Sequence, residues 1–274
     1  MKLATLTLTL AVLGLVAAAQ AQAPAIDNGT IVRHEASGTL AREFAAIGRD
    51  AARPMWIGYA VPARQRGGFN GCWDGRGGGR RVVPIKLEGA AEFFVLYRLE
   101  QGVVGRIQIA SPECPLDLGG LTLHWFSNVT AAASLDWLAT FTAAADAARG
   151  VTSTAVTAIA LHGDDSVVDR LITLAREGRD RQVRSSALFW LGQRAGERAA
   201  GTIADAIEND PDADVKRQAV LALSRLPRDQ SVPRLIDLAR SNRNAAVRKQ
   251  AMFWLGQSRD PRALAFFEEI LRGR

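Results

Sequence analysis

The C-terminal half of the chain carries a polar and apolar pattern that returns every 32 residues. "DRQVRSSALFWLGQ" (180–193), "DADVKRQAVLALSR" (212–225) and "NAAVRKQAMFWLGQ" (244–257) align without gaps. Val183, Val215 and Val247 begin an apolar stripe. Ala187, Ala219 and Ala251 follow four residues on, and Leu191, Leu223 and Leu255 follow after four more. Apolar positions at i, i+4 and i+8 share one face of an α-helix. Asp180, Asp212 and Asn244 precede the stripes and suit the N-cap, where a side-chain oxygen takes up free N–H groups of the first turn. The alanine in mid-stripe lets a neighbouring helix come close. Gly192, Ser224 and Gly256 mark the weakening end of each helix.

A second set of stripes precedes these at the same offset. Residues 167–178, 201–210 and 232–242 align around Leu171, Ile203 and Leu235. Pro233 falls in a first turn, where a missing N–H costs little. Pro211, Pro227 and Pro261 fall in the links. Tandem helix pairs of this length predict an α-solenoid. A degenerate leading copy places Val151, Ala155 and Ile159 in the same columns, behind "SLDWLATF" (134–141). "DPRALAFFEEILRGR" adds a terminal first helix.

The tandem "D-x-x-V-R-x-x-A-x-x-x-L-G" resembles the bacterial HEAT-like repeat, a type also found in phycobilisome lyases, over residues 134–274. That resemblance implies a scaffold or partner-binding array. Lyase activity is not carried over, because nothing in this chain points to a chromophore-attachment partner.

Residues 24–130 have a different rhythm. "TIVRHEA" (30–36), "PMWIGYAVP" (54–62) and "LTLHWF" (121–126) read as strands, and 91–111 as two strands turning near 100–102. Leu40, Phe44 and Ile47 have helical spacing behind a capping Ser37. The expectation is a small α+β domain with a core of Trp56, Ile57, Tyr59, Phe93, Phe94, Leu96, Ile107 and Ile109. "PMWIGYAVP", the Cys-Trp-Asp loop and a second Cys ahead of the array resemble exported bacterial proteins known only as HEAT-repeat-containing, which implies no activity.

The first 21 residues change the picture of location. One lysine, Lys2, precedes an apolar run (3–19) and the Ala-x-Ala site Ala19-Gln20-Ala21. That is the layout of a signal peptide cleaved before Gln22; the alternative is a retained anchor. The predicted organisation is signal peptide 1–21, α+β domain 22–130 and HEAT-like α-solenoid 131–274. The mature chain is then periplasmic or secreted, with no membrane span. Cys72 and Cys114 form an even pair in an exported chain, which favours one disulfide over two thiols. Such a bridge closes a long loop and is worth about 3–4 kcal/mol. It would anchor the glycine-rich stretch "RGGFNGCWDGRGGGRR" (66–81). That stretch lacks the Lys-Ser or Lys-Thr that a phosphate-cradling loop needs.

The net charge is +6, from 34 basic and 28 acidic residues. The excess is spread over both halves with no basic tail or dense stripe, so nucleic acid is not an expected partner. Signals for chemistry are sparse. His34 opens "HEASG", but Gly38 stands where a zinc-protease motif needs its second histidine. A hydrolase would have to use His124 as its base, but nothing in the sequence points to that role, and no catalytic residue is assigned. His162 in "LHGDD" lies in an inter-helix loop, with Asp164 and Asp165 expected to cap the next helix. No cofactor or metal is implied. Two repeated features stand out as partner-binding candidates. Arg184, Lys216 and Arg248 form a ladder after the valine column; the structural alternative has them bridge to acidic or carbonyl groups of the neighbouring unit, with Asp180, Asp212 and Asp214 as the acidic candidates. Trp190 and Trp254 would be binding anchors if exposed and gap fillers if buried. The leading expectation is a scaffold that holds a protein partner on the concave face. The alternatives are a sensor or regulator whose N-terminal domain binds a ligand, or an enzyme with its site in that domain.

Overall fold

A computed structural model of the chain describes residues 23–49, 53–64, 91–144, 149–194 and 196–273. Among these, the N-terminal part is a five-stranded mixed sheet: β1 (Ile26–Glu35), β2 (Met55–Pro62), β3 (Glu92–Glu100), β4 (Val103–Ala110) and β5 (Leu116–Ser127). Helix α1 (Leu40–Arg49) lies between β1 and β2 in the chain. The strand order is β1-β5-β2-β3-β4. β5 runs parallel to β1 and β2, and β2–β3 and β3–β4 are antiparallel. The predicted turn between β3 and β4 is made by Gln101 and Gly102, both left-handed at φ 52° and 77°. A two-residue turn with both centres left-handed matches the twist of the strands it joins.

Side chains alternate across the sheet. Ile57, Tyr59, Val61, Phe93, Val95, Tyr97 and Leu99 share one cluster with Phe44 of α1. Trp56, Ala60, Phe94 and Leu96 join Leu123 and Trp125 in a second. β2 and β3 are therefore buried on both faces, which is why they read as continuous apolar runs. All eight predicted core residues are buried. Ser37 does not cap α1. Its backbone N–H and hydroxyl donate to the Glu43 carboxylate, and the first turn bonds to the Thr39 carbonyl instead.

The change from strand to helix falls between Ser127 and Ala131. Helices α2 (Ala131–Ala143) and α3 (Arg149–Leu161) form the leading pair. They are followed by α4 (Val167–Glu177) with α5 (Arg181–Arg194), α6 (Glu197–Asn209) with α7 (Ala213–Ser224), α8 (Arg228–Ser241) with α9 (Ala245–Ser258), and α10 (Pro261–Leu271). Asp180, Asp212 and Asn244 cap α5, α7 and α9 through bonds from Gln182, Asp214 and Ala246 N–H groups. The valine, alanine and leucine columns are fully buried. Pro233 lies inside α8, not in its first turn, because α8 begins at Arg228. Gly192 does not end α5, which runs on to Arg194; it is a packing position. A Cβ there would lie 2.8 Å from the Ala222 Cα and carbonyl oxygen.

The array and the sheet share one core. The cluster on the Tyr59 face runs without a break through Leu135, Leu138 and Ile159 to Phe266. The signal-peptide stretch, the glycine-rich loop and Cys72 lie outside the described residues. Cys114 is buried.

Candidate functional site

Each second helix, α3, α5, α7 and α9, packs directly on the next. Its alanine column points to the first helices. Two residues further along a helix is about 200° round, so the opposite side carries Thr157, Phe189, Leu221 and Phe253. Phe189 and Leu221 are half-buried and Phe253 is 53% exposed. Phe189, Leu221 and Phe253 form an apolar column down the middle of the second-helix face, and Thr157 makes its α3 end polar. Ser185, Arg217 and Lys249 flank it on one side, and Gln193, Arg225 and Gln257 on the other.

Charge is sorted between the two helix layers. The four second helices contain one carboxylate, Asp214. It is already paired with Arg181 and Arg217. The acidic residues concentrate on the first helices, which are laced by exposed pairs: Arg170–Asp136, Arg198–Asp169 and Arg240–Glu269. Such pairs contribute at most about 1 kcal/mol each.

The predicted basic ladder lies beside this face and turns into the stack. Arg184 makes a two-pronged contact with Asp210 at 2.7 and 3.0 Å and donates to the Gly178 carbonyl. Its side chain is 12% exposed and that of Asp210 5%. The Asp210 bonds also hold the guanidinium pKa above its ordinary value. Lys216 donates to the Glu208 carbonyl, and Arg248 to those of Asn242 and Arg243. Each thus closes off the C-terminal end of the preceding first helix, where cations meet free carbonyls. The acidic partner of Arg184 is Asp210, not Asp180, Asp212 or Asp214. Trp190 and Trp254 are half-buried against the array core. Trp254 lines a cavity with Ser224, Ser231, Val232 and Leu235, and its indole N–H is buried with no hydrogen-bond partner among the described residues. Their neighbours Phe189 and Phe253 lie on the opposite column, Phe189 half-buried and Phe253 exposed. The signal for them was present in the sequence: the same 32-residue offset, set two residues beyond the buried alanines.

A buried polar chain ties the sheet to the leading helix pair, and no periodicity announced it. Tyr97 and Tyr59 hydroxyls lie 2.6 Å apart, Tyr59 and Ser134 2.9 Å, and Ser134 Oγ and His162 Nε2 2.9 Å. The His162 Nδ1 is 2.7 Å from the Ala158 carbonyl. That carbonyl can only accept, so Nδ1 carries the proton and Nε2 accepts from Ser134. Burial pushes the His162 pKa down to about 4 and raises both tyrosines. Every member is fully buried. Ser134 and His162 have the spacing of a nucleophile and base, but both are enclosed and fully engaged in holding the sheet on the array. Backbone bonds beside them, Arg64 N–H to Leu161 and Gly163 N–H to Pro62, join the end of β2 to the α3–α4 loop. Asp164 accepts from the Ser166 N–H and hydroxyl at the start of α4, which depresses its pKa.

His124 is bonded to His34, Nδ1 to Nε2 at 2.9 Å, and the rings stack. Burial and the nearby His34 lower the His124 pKa. Among the described residues, no group of three or more His, Cys, Asp or Glu is placed to hold a metal ion. No described helix is long and apolar enough to cross a membrane.

Residues 201–274 match the family model for HEAT repeats. Among solved structures, the complex of CpcE and CpcF of phycocyanin lyase from Nostoc sp. PCC7120 matches with 18% identity and a TM-score of 0.40, over 52% of this chain and 89% of that one. No curated protein matches the chain.

Proposed function

We propose that this HEAT-like repeat protein is an exported scaffold that holds a protein partner against the second-helix side of its array. One observation carries the reading: the column Phe189, Leu221 and Phe253 is apolar and not covered by the fold, with Phe189 and Leu221 half-buried and Phe253 exposed. The fold gains nothing from a half-exposed phenylalanine in mid-helix. A partner that covers it gains apolar burial at a repeated, ordered position. Export rests on the N-terminal stretch, and the disulfide Cys72–Cys114 is part of the same reading.

The test is a photo-crosslinking residue placed at Phe253, with a control at the exposed Arg234 on α8, in cells producing the full chain. A discrete protein adduct from position 253 alone is expected. Equal adducts from both positions, or none from 253, would overturn the docking face. N-terminal sequencing of the mature protein from the periplasmic or secreted fraction should begin at Gln22; retention of Met1 would remove the cleavage, and recovery of the chain from the cytoplasmic fraction alone would remove the export part.

A further inference from the structure

We infer that the partner offers an acidic amphipathic helix, laid across α5, α7 and α9 with apolar residues spaced seven apart. The inference rests on the second-helix side being the docking face proposed above, and it adds the chemistry and shape of what docks there.

The charge comes first. Asp214 is the only carboxylate of the second helices, and Arg181 and Arg217 already neutralise it. Arg225 and Lys249 are exposed and form no ion pair among the described residues. The α3 and α5 part of the face is instead lined by Ser153, Thr157 and Ser185. The face is therefore neutral and polar at one end and cationic toward α7 and α9. An acidic segment is attracted to the cationic end, and a basic one is repelled by charges with nothing to offset them.

The spacing fixes the shape. α5 meets α7 closely enough that the Gly192 Cα side has no room for a methyl group beside Ala222. Closely packed helices lie about 8–10 Å apart, so the rungs Phe189, Leu221 and Phe253 recur at about that interval. A helix rising 1.5 Å per residue sets positions i and i+7 about 10.5 Å apart on one face. An extended strand sets same-face residues about 6.7 or 13 Å apart, out of step with the rungs. A helix with apolar residues at i, i+7 and i+14 fits all three.

The experiment uses the full chain and three labelled peptides of roughly 20 residues, long enough to span the rungs. The first carries the seven-spaced leucine seam with glutamates. The second replaces glutamate by lysine. The third is acidic with the leucines scattered. Fluorescence anisotropy should show the acidic seam peptide binding at least about tenfold more tightly than either of the others. Phe253→Ser should weaken it by about tenfold or more, and the double variant Arg225→Glu/Lys249→Glu should shift preference to the lysine peptide. Thermal melts of both variants check that they fold. Equal binding of acidic and basic seam peptides, both lost in Phe253→Ser, would overturn the charge inference and leave the docking face standing. Acidic binding that survives Phe253→Ser and Phe189→Ser would overturn the docking face as well. No binding by any peptide, with a position-253 adduct still formed, would overturn the acidic helix alone.

Discussion

The guanidinium of Arg184 sits where two helix pairs meet, and its worth is set by what it leaves behind. Removing it strands the Asp210 carboxylate at 5% exposure. Breaking a buried pair from one side costs about 3–5 kcal/mol, far more than an exposed pair contributes. Arg184→Ala should therefore lower the urea midpoint sharply, while Arg198→Ala, which loses an exposed pair with Asp169, should move it little. Equal shifts would show that the Arg184 pair is solvated. His162 makes a second residue-scale prediction, in pH. Its folded pKa, about 4, is below the ordinary value near 6.5. The unfolded chain therefore binds the proton more readily between those values. The contribution is complete above about pH 6.5 and is lost progressively down to about pH 4, a total of about 3 kcal/mol. Asp164 works against this depression, and Arg170 and Arg194 with it. Urea midpoints of wild type and His162→Gln, measured from neutral pH to pH 4, should converge as pH falls. Parallel curves would mean that His162 takes up its proton without cost. Neither effect was legible in the sequence. Arg184 was visible as a column, but its partner lies 26 residues on in a different loop. His162 meets Ser134, and through it Tyr59, only because the sheet folds back on α2 and α3.

At the scale of the element, the 32-residue period was fully legible, because each column is a packing demand that every unit repeats. The caps, the buried stripes and both helices of each pair follow from it. What the pattern could not show is whether a position faces a neighbour. Gly192 and Gly256 occupy the same column and both looked like helix ends. A methyl group on Gly192 would meet Ala222 backbone at 2.8 Å, whereas one on Gly256 meets nothing within 4 Å. The same substitution should therefore change sign. Gly192→Ala forces α5 and α7 apart and should destabilise by about 1–3 kcal/mol. Gly256→Ala removes backbone freedom from a helix interior and should stabilise by about 0.5–1 kcal/mol. Thermal melts of the two variants decide this, and movement in the same direction would contradict the packing described. β5 teaches a similar lesson. Its apolar end, 121–126, was legible, but the strand starts at Leu116 and carries Gly119 and Gly120 with positive φ. The irregular register with β1 in that stretch breaks the alternation by which a strand is recognised.

The whole molecule behaves as one body if its core is one core. The sequence divides at the change from strands to helices, because periodicity switches there. The packing does not divide there: the Tyr59 face of the sheet lies on α2 and α3, and that cluster continues to α10. The polar chain from Tyr97 to His162 crosses the join with every donor matched to an acceptor. Ser134 is its centre. Ser134→Ala leaves the His162 Nε2 without a donor and takes an acceptor from Tyr59, where all three residues are fully buried. An unmatched buried group costs about 1–3 kcal/mol, and two are created. Because sheet and array share the core, this loss should appear at both ends of the molecule at once. Two probes can follow it separately: Trp56 and Trp125 report the sheet, and Trp190 and Trp254 the array. With Trp73 and Trp137 replaced by phenylalanine throughout and one of these two pairs replaced at a time, urea transitions from the remaining pair should coincide without further change and shift together in Ser134→Ala. Coincidence is a demanding outcome, because repeat arrays otherwise unfold unit by unit from their ends. An array transition that stays in place while the sheet transition moves would show that the join is a contact between two bodies, and the polar chain would then stabilise the sheet alone.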